Sequence, residues 1–309
     1  MKIDRLSIVL PCHNEESNIP ELIKELSLVL KPFAFTYEII FVDDGSKDST
    51  FKIINDISKS NKFVKGYALS RNFGHQIALL AGIENATGDV IITMDADLQH
   101  PPEIIPQLIE KYEDGYDIVN TRRKYDKKTT VFKKTSSKWF YILINKLSDI
   151  KIEPQSSDFR LMNREAVDAF LKMKEHNRFT RGLIRWIGFE QTIIDYETNE
   201  RFSGQSSYSL KKMITLAIDG VTSMSSKPLR LSLYLGFIFF VSGLVYGTYV
   251  MFNYFSGINI TGWTSILISI LIIGGIQLLI LSIIGEYVAK IFNEVKSRPL
   301  YLIKAKTHK

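Results

Sequence analysis

Two carboxylates lie two residues apart in the segment Thr93-Met94-Asp95-Ala96-Asp97-Leu98-Gln99. They follow an apolar run, Val90 to Met94, that has the length of a buried strand. Two acidic groups held this close repel each other unless a cation lies between them, and Mg²⁺ prefers oxygen ligands. A metal ion bound by few protein groups keeps positions for phosphate oxygens. The segment therefore predicts a diphosphate site, although such pairs also cap helices or lie in solvated turns.

The first hundred residues alternate apolar runs of strand length with segments of helical periodicity. This alternation predicts a mostly parallel α/β sheet covered by helices on both faces, with ligands bound beyond the carboxyl ends of the strands. The polar segments that follow the first four predicted strands are Pro11-Cys12-His13-Asn14-Glu15-Glu16, Asp43-Asp44-Gly45-Ser46, Ser70-Arg71-Asn72-Phe73-Gly74-His75 and Asp95-Ala96-Asp97. Any one of them could be a turn or a helix cap, but together they predict one cleft.

The chain becomes strongly apolar after about residue 227. Leu231 to Phe252 and Trp263 to Gly285 contain no charged side chain, and each is long enough to cross a hydrocarbon core of ~30 Å as a helix. Lysine and arginine residues lie on the outer sides of both runs, whereas the link between them carries no charge. The positive-inside bias therefore predicts a two-helix hairpin with both termini in the cytoplasm.

The segment before the first span, Lys212 to Ser226, has a broad apolar side. It predicts a helix at the membrane surface or, alternatively, a helix packed on the soluble domain. The net charge of +6 is modest and much of it lies beside the spans, so anionic lipid is a better partner than nucleic acid. Cys12 is the only cysteine, which excludes an intrachain disulfide.

Further motifs occur along the chain in a fixed order. They include Phe41-Val42-Asp43-Asp44-Gly45-Ser46, Leu69 to Gln76, Met94 to Gln99, Asp158-Phe159-Arg160-Leu161-Met162 and Arg178-Phe179-Thr180-Arg181-Gly182. Together with the two-span C-terminal part, they make the chain resemble glycosyltransferase family 2. The resemblance is nearest to its polyprenyl-phosphate glycosyltransferase branch, which includes dolichol-phosphate mannose synthase and the bactoprenol glucosyltransferases, and it runs almost end to end.

This resemblance implies a GT-A (Rossmann-like) catalytic domain followed by two transmembrane helices in a hairpin. The implied reaction is inverting transfer of one sugar from a nucleotide sugar, such as UDP-glucose, to undecaprenyl phosphate at the cytoplasmic membrane face, for cell-envelope glycan modification. It implies a divalent metal, Mg²⁺ or Mn²⁺, and a homo-oligomer such as a tetramer. The sequence leaves the sugar, the nucleotide and the downstream glycan open.

Carried over by position, the resemblance also implies residue roles. The nucleotide pocket would be lined by Pro11, His13, Glu15, Val42, Asp44, Asp95, Ala96 and Arg122, the last of which would meet a phosphate. The metal ligands would be Asp95, Asp97 and Gln99. The acceptor phosphate would be bound by Arg201, Ser206, Ser207 and Lys211, in a loop where Ser207 replaces the lysine of the family pattern. The catalytic residues would be Asp97, Asp158 and Arg201.

The role of Asp158 has two interpretations. Related enzymes are thought to carry a base or an acceptor-orienting carboxylate at this position, but Asp158 could instead pair with Arg160 or another arginine. A phosphate monoester already carries between one and two negative charges at neutral pH, so a general base is dispensable. An anionic acceptor beside an anionic donor does need cations, and the candidates are Arg122, Arg160, Arg181 and Arg201.

These features divide the chain into a cytoplasmic catalytic domain (1–210), an interfacial helix region (211–228), a transmembrane hairpin (229–289, with spans 231–252 and 263–285) and a basic tail (290–309). Two other functions compete with single-sugar transfer. Ile184-Arg185-Trp186 is similar to part of a motif of processive polysaccharide synthases, but two spans are few for a polymer channel. A membrane subunit that binds nucleotide without turnover would have no need for all the acidic residues of the cleft.

Overall fold

The computed structural model describes residues 2–124, 145–146, 156–198, 220–223, 225–256 and 262–307. Most of the predicted interfacial helix, Lys212 to Ser226, lies outside these residues. So do the predicted acceptor-phosphate residues Arg201, Ser206, Ser207 and Lys211.

One mixed sheet of eight strands runs through the described part of the chain. The strands are β1 (Arg5–Cys12), β2 (Thr36–Asp43), β3 (Val64–Leu69), β4 (Val90–Thr93), β5 (Ile118–Arg123), β6 (Ser156–Asn163), β7 (Gln191–Tyr196) and β8 (Ile303–Lys306). Their order is β7-β5-β6-β4-β1-β2-β3-β8. The central strands β4, β1, β2 and β3 are parallel, as predicted, whereas β6 is antiparallel to both β4 and β5. The carboxyl ends of β1, β2, β3 and β4 therefore lie at one edge of the sheet.

Helices cover both faces of this sheet. They are α1 (Ile19–Leu30), α2 (Thr50–Ser60), α3 (His75–Glu84), α4 (Ile105–Glu113, preceded by a 3-10 turn at Pro102–Ile104), α5 (Arg164–Leu171) and α6 (Thr180–Trp186). Side chains of β1 alternate between two buried clusters, since Ile8 and Leu10 pack with α1 and α4 while Val9 packs with α3 and α5. This three-layer arrangement confirms the predicted α/β domain.

A buried carboxylate lies near the start of β2. The side chain of Glu38 is only 2% exposed and accepts hydrogen bonds from Ser7 Oγ (2.6 Å), Thr87 N and Oγ1 (both 2.8 Å) and Lys65 Nζ (2.5 Å). Burial alone would raise the pKa of Glu38, but these hydrogen bonds outweigh it and lower the pKa to about 2. The ionised form of Glu38 therefore stabilises the fold.

Glu38→Gln is expected to destabilise the catalytic domain by roughly 3 kcal/mol at pH 7, the free energy that corresponds to the lowered pKa. Because the pKa of Glu38 is lower in the folded state, its ionised form stabilises the fold at pH values above the unfolded-state pKa of about 4.3. This stabilisation is lost as the pH falls toward 2. The difference between wild type and variant in thermal unfolding should therefore shrink below about pH 4. Glu21→Gln, which removes an exposed charge paired with Lys24, is the matched control and should have almost no effect. A difference that stays constant from pH 7 to pH 3 would contradict this account.

Two long apolar helices follow the sheet domain. They are α7 (Lys227–Phe255) and α8 (Trp263–Val295), and both are long and apolar enough to cross a membrane. Large side chains point outward along them, such as Phe237 (65% exposed) and Phe240 (63% exposed). Patches of this size on a soluble protein would be unstable in water, so they indicate a lipid environment. The predicted pair of apolar helices is confirmed.

The second apolar helix does not end where its uncharged run ends at Gly285. It continues to Val295 and reaches the sheet domain, where Glu294 accepts hydrogen bonds from His176 N (2.8 Å) and contacts His176 Nδ1 (3.2 Å). The other ring nitrogen of His176 lies 2.8 Å from Arg298 O. We refer to the contacts among Glu294, His176 and Arg298 as the C-terminal latch.

The segment predicted as a basic tail (290–309) contains a short strand. Beyond the latch, β8 pairs in antiparallel orientation with β3, and the Tyr301 hydroxyl donates to the Glu84 carboxylate on α3. The strand is only four residues long, and its lysines, Lys304 and Lys306, point to solvent in the alternating pattern of an edge strand.

Glu294→Ala is expected to loosen the segment after α8. Losing these hydrogen bonds should cost about 1.4 kcal/mol, which raises about tenfold the fraction of molecules in which the segment is detached from the sheet domain. Trypsin should therefore cleave after Lys296 about ten times faster. Glu286→Ala removes an exposed glutamate from the same helix and is the matched control. Equal cleavage rates in the two variants would show that the latch does not hold this segment.

Candidate active site

A cleft of about 540 Å³ opens at the carboxyl edge of the parallel strands. All four polar loops that the sequence predicted to meet contribute to it. Its lining residues are Pro11, Cys12, His13, Glu15, Asp44, Asn72, Gly74, His75, Ala78, Asp95, Ala96 and Asp97. Seven of the residues predicted to bind the nucleotide or the metal are therefore brought together, namely Pro11, His13, Glu15, Asp44, Asp95, Ala96 and Asp97.

Asp44 joins two of the loops. Its carboxylate is buried and accepts backbone hydrogen bonds from Phe73 N (2.7 Å) and Gly74 N (2.9 Å). The neighbouring Gly45 has φ +64°, and a Cβ there would lie 2.5 Å from the carbonyl carbon of Arg71. Only glycine fits this close approach. The Asp44-Gly45 pair thus fixes the start of α3 against the end of β2.

Asp44 also shapes the wall formed by the first loop. His13 is exposed and its Nδ1 atom lies 2.9 Å from Asp44 O. Glu15 N donates to Thr50 Oγ1 at 2.9 Å. Val42, in contrast, is fully buried in the core beside α3 and does not line the cleft, contrary to the predicted role. The strand pleat explains this outcome, because residues on either side of Val42 face the other way.

The two carboxylates at the end of β4 face the cleft from a strained loop. Leu98 has φ +61°, which is unusual for a residue with a side chain, and Gln99 N donates to Asp97 Oδ1 at 3.1 Å. The Asp95 side chain is 25% exposed, and its Oδ1 atom is buried without a hydrogen-bond partner among the described residues. His75 Nε2 lies 3.4 Å from this oxygen.

His100 packs beneath this loop and binds its backbone, a role that no pattern in the sequence indicated. Its ring is fully buried, stacks on Phe159 with centroids 5.3 Å apart, and accepts a hydrogen bond from Asp95 N at Nδ1 (2.9 Å). Because a backbone N–H can only donate, Nδ1 is the acceptor and the ring is neutral, while Nε2 lies 2.9 Å from Ser157 Oγ and 3.0 Å from Arg123 Nη2. Burial lowers the pKa of His100, which favours this neutral form. The signal was only one histidine at a loop end, which is common in buried positions.

Asp95 and Asp97 suit a divalent metal bound together with a diphosphate. An aspartate oxygen that lacks a hydrogen bond beside an open cleft is a suitable metal ligand. In the described part of the chain, no group of three or more His, Cys, Asp or Glu side chains could hold a metal, so water and phosphate oxygens would complete its coordination. Gln99 contributes its backbone to the turn, and its side chain is not part of the cleft lining.

Asp158, at the start of β6, is surrounded by donors. Its carboxylate contacts Arg160 Nη2 (2.9 Å), Arg181 Nε (3.2 Å), Gln76 Nε2 (3.0 Å) and His75 Nε2 (3.6 Å). Burial would raise the pKa of Asp158, but Arg181, His75 and Arg160 outweigh it and hold the pKa well below its ordinary value. Burial and the charge of Arg181 lower the pKa of Arg160 to about 10, although Asp158 opposes them. Asp158 is therefore ionised and pairs with arginines, which was one of its two interpretations.

His75 lies between this group and Asp95. Partial burial lowers the pKa of His75, but the interaction with Asp158 and the charge of Asp95 are stronger and raise the pKa to about 9.

The structure separates the two arginines at the end of β5. Arg122, predicted to meet a phosphate in the nucleotide pocket, instead forms a bidentate pair with Asp195 (2.7 and 3.1 Å) and lines a second, smaller cavity beside Arg160 and Arg181. Arg123 points to the opposite face, where its Nη2 atom lies 3.8 Å from Asp95 Oδ2. Successive residues of a strand face opposite sides, so Arg122 and Arg123 lie on opposite faces of the sheet.

These features define an α/β protein whose polar cleft suits a diphosphate and whose C-terminal helices suit a membrane. Residues 7–171 match the model of glycosyl transferase family 2, and residues 227–291 match the GtrB C-terminal hairpin. The chain belongs to glycosyl transferase family 2. It is a glycosyltransferase with the GT-A-like domain expected for that family, and the C-terminal hairpin indicates that it associates with a membrane.

Individual proteins resemble the chain along nearly its whole length. An uncharacterized glycosyltransferase of Synechocystis is 44% identical over 299 residues, which cover 96% of this chain and 94% of that protein. The bactoprenol glucosyl transferase of Shigella phage SfX is 39% identical over 303 residues, covering 98% and 99%. Among solved structures, glucosyl-3-phosphoglycerate synthase of Mycobacterium tuberculosis has a TM-score of 0.49 and 18% identity, covering 72% of this chain and 80% of that one.

Proposed function

We propose that the protein transfers a single sugar, with inversion, from a nucleotide sugar to a polyprenyl phosphate at the cytoplasmic face of the membrane. The observation that carries this proposal is the closeness of two charged centres. Asp95 and Asp97 line the cleft, and Asp158 pairs with Arg160 and Arg181 next to it, with His75 within 3.6 Å of both Asp95 and Asp158. The similarity to bactoprenol glucosyl transferases supports a lipid phosphate as the acceptor.

The first centre suits the leaving group. A Mg²⁺ or Mn²⁺ ion held by Asp95 and Asp97 would offset the negative charge that gathers on the diphosphate as its bond to the sugar breaks. The loop makes this role possible because it turns both carboxylates to the same cleft. The donor would then lie along the wall formed by Pro11, His13 and Asp44, with its nucleoside away from the reacting bond.

The second centre suits the acceptor. Arg160 is 1% exposed, and its Nε atom has no hydrogen-bond partner among the described residues. Arg160 and Arg181 both line the second, smaller cavity, where guanidinium groups are suited to an anion such as a phosphate. Asp158 already holds Arg160 and Arg181, and its lowered pKa makes it a weak proton acceptor. We therefore assign Asp158 the task of positioning these arginines, since an anionic phosphate needs no base to attack.

The C-terminal part suits a lipid substrate. The uncharged run of α8 ends at Gly285, and the helix reaches the sheet domain within ten further residues. The cleft would therefore lie on the same side of the membrane as the basic residues that follow α8. Contacts of Tyr287 with Ser225 O (2.7 Å) and of Lys290 with Ser223 (3.2 Å) join α8 to the segment before α7. Assembly as a homo-tetramer remains a prediction of the family resemblance.

A transfer assay tests this proposal. Purified full-length protein in detergent would receive labelled UDP-glucose, UDP-N-acetylglucosamine or GDP-mannose, with undecaprenyl phosphate and Mg²⁺. A chloroform-soluble product of single-sugar size is expected, and its anomeric configuration, read by NMR, should be opposite to that of the donor. A long water-soluble polymer would support a processive synthase instead. Nucleotide binding without any product from these donors would support a non-catalytic subunit.

A further inference from the structure

His75 lies between Asp95, which lines the cleft, and Asp158, which lies beside it. Its Nε2 atom is 3.4 Å from Asp95 Oδ1 and 3.6 Å from Asp158 Oδ2. Among the described residues, it is the one ionisable side chain within 4 Å of both carboxylates. Both distances exceed the ordinary N–H···O length of about 2.7–3.2 Å. The imidazole therefore lies between two carboxylates, at a long distance from each.

The local structure holds this ring in position. His75 is the first residue of α3, and the two preceding backbone N–H groups, of Phe73 and Gly74, are both bound by the buried carboxylate of Asp44. Gly74 has φ +98°, which directs the chain from the loop into the helix. The His75 side chain remains 42% exposed and lines the cleft. It can therefore reach a bound substrate without a change in the backbone.

Negative charge moves from the acceptor to the leaving group during the proposed reaction. The bond between the anomeric carbon and the diphosphate oxygen breaks, and the diphosphate keeps the electron pair. A new bond forms between the same carbon and a lipid phosphate oxygen, so that a doubly charged monoester becomes a singly charged diester. One negative charge thus moves from the side of Asp158 to the side of Asp95, and no proton has to be transferred.

We propose that His75 is a further catalytic residue, whose Nε2–H donates to the diphosphate oxygen that leaves the sugar. This inference rests on the proposed function, because it assumes that the diphosphate lies beside Asp95 and Asp97. A fixed donor at the place where charge develops stabilises the transition state more than the bound substrate. Removing it should therefore lower kcat more than donor affinity.

His75→Ala in the full-length enzyme tests the inference, with undecaprenyl phosphate and the nucleotide sugar that gives the highest turnover. We expect kcat to fall about 100-fold, the usual effect of removing one such donor. The donor KM and the Kd for UDP, measured by calorimetry with Mg²⁺, should stay within about twofold. His75→Gln keeps an N–H donor and should recover part of kcat. His13→Ala, on the wall formed by the first loop, should act mainly on the donor KM.

Slow hydrolysis of the nucleotide sugar without lipid separates this inference from the proposed function. Because the leaving group is the same, His75→Ala should slow hydrolysis by about the same factor as transfer. A wild-type enzyme that hydrolyses the donor but transfers nothing to the lipid would contradict the acceptor assignment alone, since hydrolysis still reports on His75. If the variant keeps kcat and hydrolysis within about threefold of wild type, or loses UDP affinity as strongly as kcat, the catalytic role of His75 is overturned.

Discussion

Asp97→Asn is expected to reduce sugar transfer about a thousandfold, which corresponds to roughly 4 kcal/mol of lost transition-state stabilisation. The amide keeps an oxygen that can accept the hydrogen bond from Gln99 N, so the turn after β4 should be preserved. The variant loses the charge that would hold a divalent metal beside the diphosphate. Transfer should be measured with labelled donor at saturating Mg²⁺, and thermal unfolding should show an unchanged fold.

Asp114→Asn provides the matched control. Asp114 lies at the end of α4 on the surface, where it pairs with Lys111 (2.7 Å), and it is remote from the cleft. The control should transfer sugar at the wild-type rate. Chelation by EDTA should mimic Asp97→Asn in the wild-type enzyme, and added Mn²⁺ should reverse the effect. If Asp97→Asn retains more than a tenth of wild-type transfer, a metal held by this carboxylate is not required.

The sequence was sufficient to predict the loops that form the cleft. Each polar segment followed an apolar run of strand length, and parallel strands bring their carboxyl ends to one edge regardless of details. Uncharged runs of more than twenty residues predict helices for equally general reasons, because a charge inside the bilayer is costly. These predictions depend only on composition and on the direction of the strands.

Side-chain directions were harder to predict. The resemblance implied a phosphate contact for Arg122, but at the end of β5, where the pairing with β6 is irregular, it is Arg123 that approaches Asp95. Val42 was expected in the nucleotide pocket for a similar reason, but a residue beside a binding loop can still face the core. The fold does not depend on either assignment, but each concerns the side of the sheet on which a side chain lies.

Contacts between distant parts of the chain left no local signal. His100 supports Asp95 only because β6 brings Ser157 and Phe159 beneath it. The strand β8 pairs with the edge strand β3 because α8 ends near that edge. Gly66 and Thr307, which are hydrogen-bonded there, are 241 residues apart in the sequence. Patterns of a few residues cannot reveal such pairings, since each partner alone resembles an ordinary loop or a charged tail.

Asp158→Asn is expected to reduce transfer about 100-fold and to leave the pH dependence of the remaining activity unchanged. Asp158 positions Arg160 and Arg181, and without its charge these guanidinium groups lose a buried partner and their orientation. Because the pKa of Asp158 is held well below its ordinary value, this carboxylate stays ionised from pH 5 to pH 8. The rise of kcat/KM over that range should instead follow the second ionisation of the acceptor phosphate, with a pKa near 6.

Two further variants separate this role from a general loss of stability. Asp168→Asn breaks an exposed pair with Arg164 and should leave both the melting temperature and transfer unchanged. Arg181→Lys keeps the cation of a partly exposed residue but loses the double contact with Asp158, so it should fold normally and lower transfer mainly through the KM for the lipid. If Asp158 were the base, its amide variant would lose the acid limb of the pH profile because no group would remain to be deprotonated. If Asp158→Asn melts like the wild type and its pH profile lacks the acid limb, Asp158 is the general base. The arginines would then be less important than we propose.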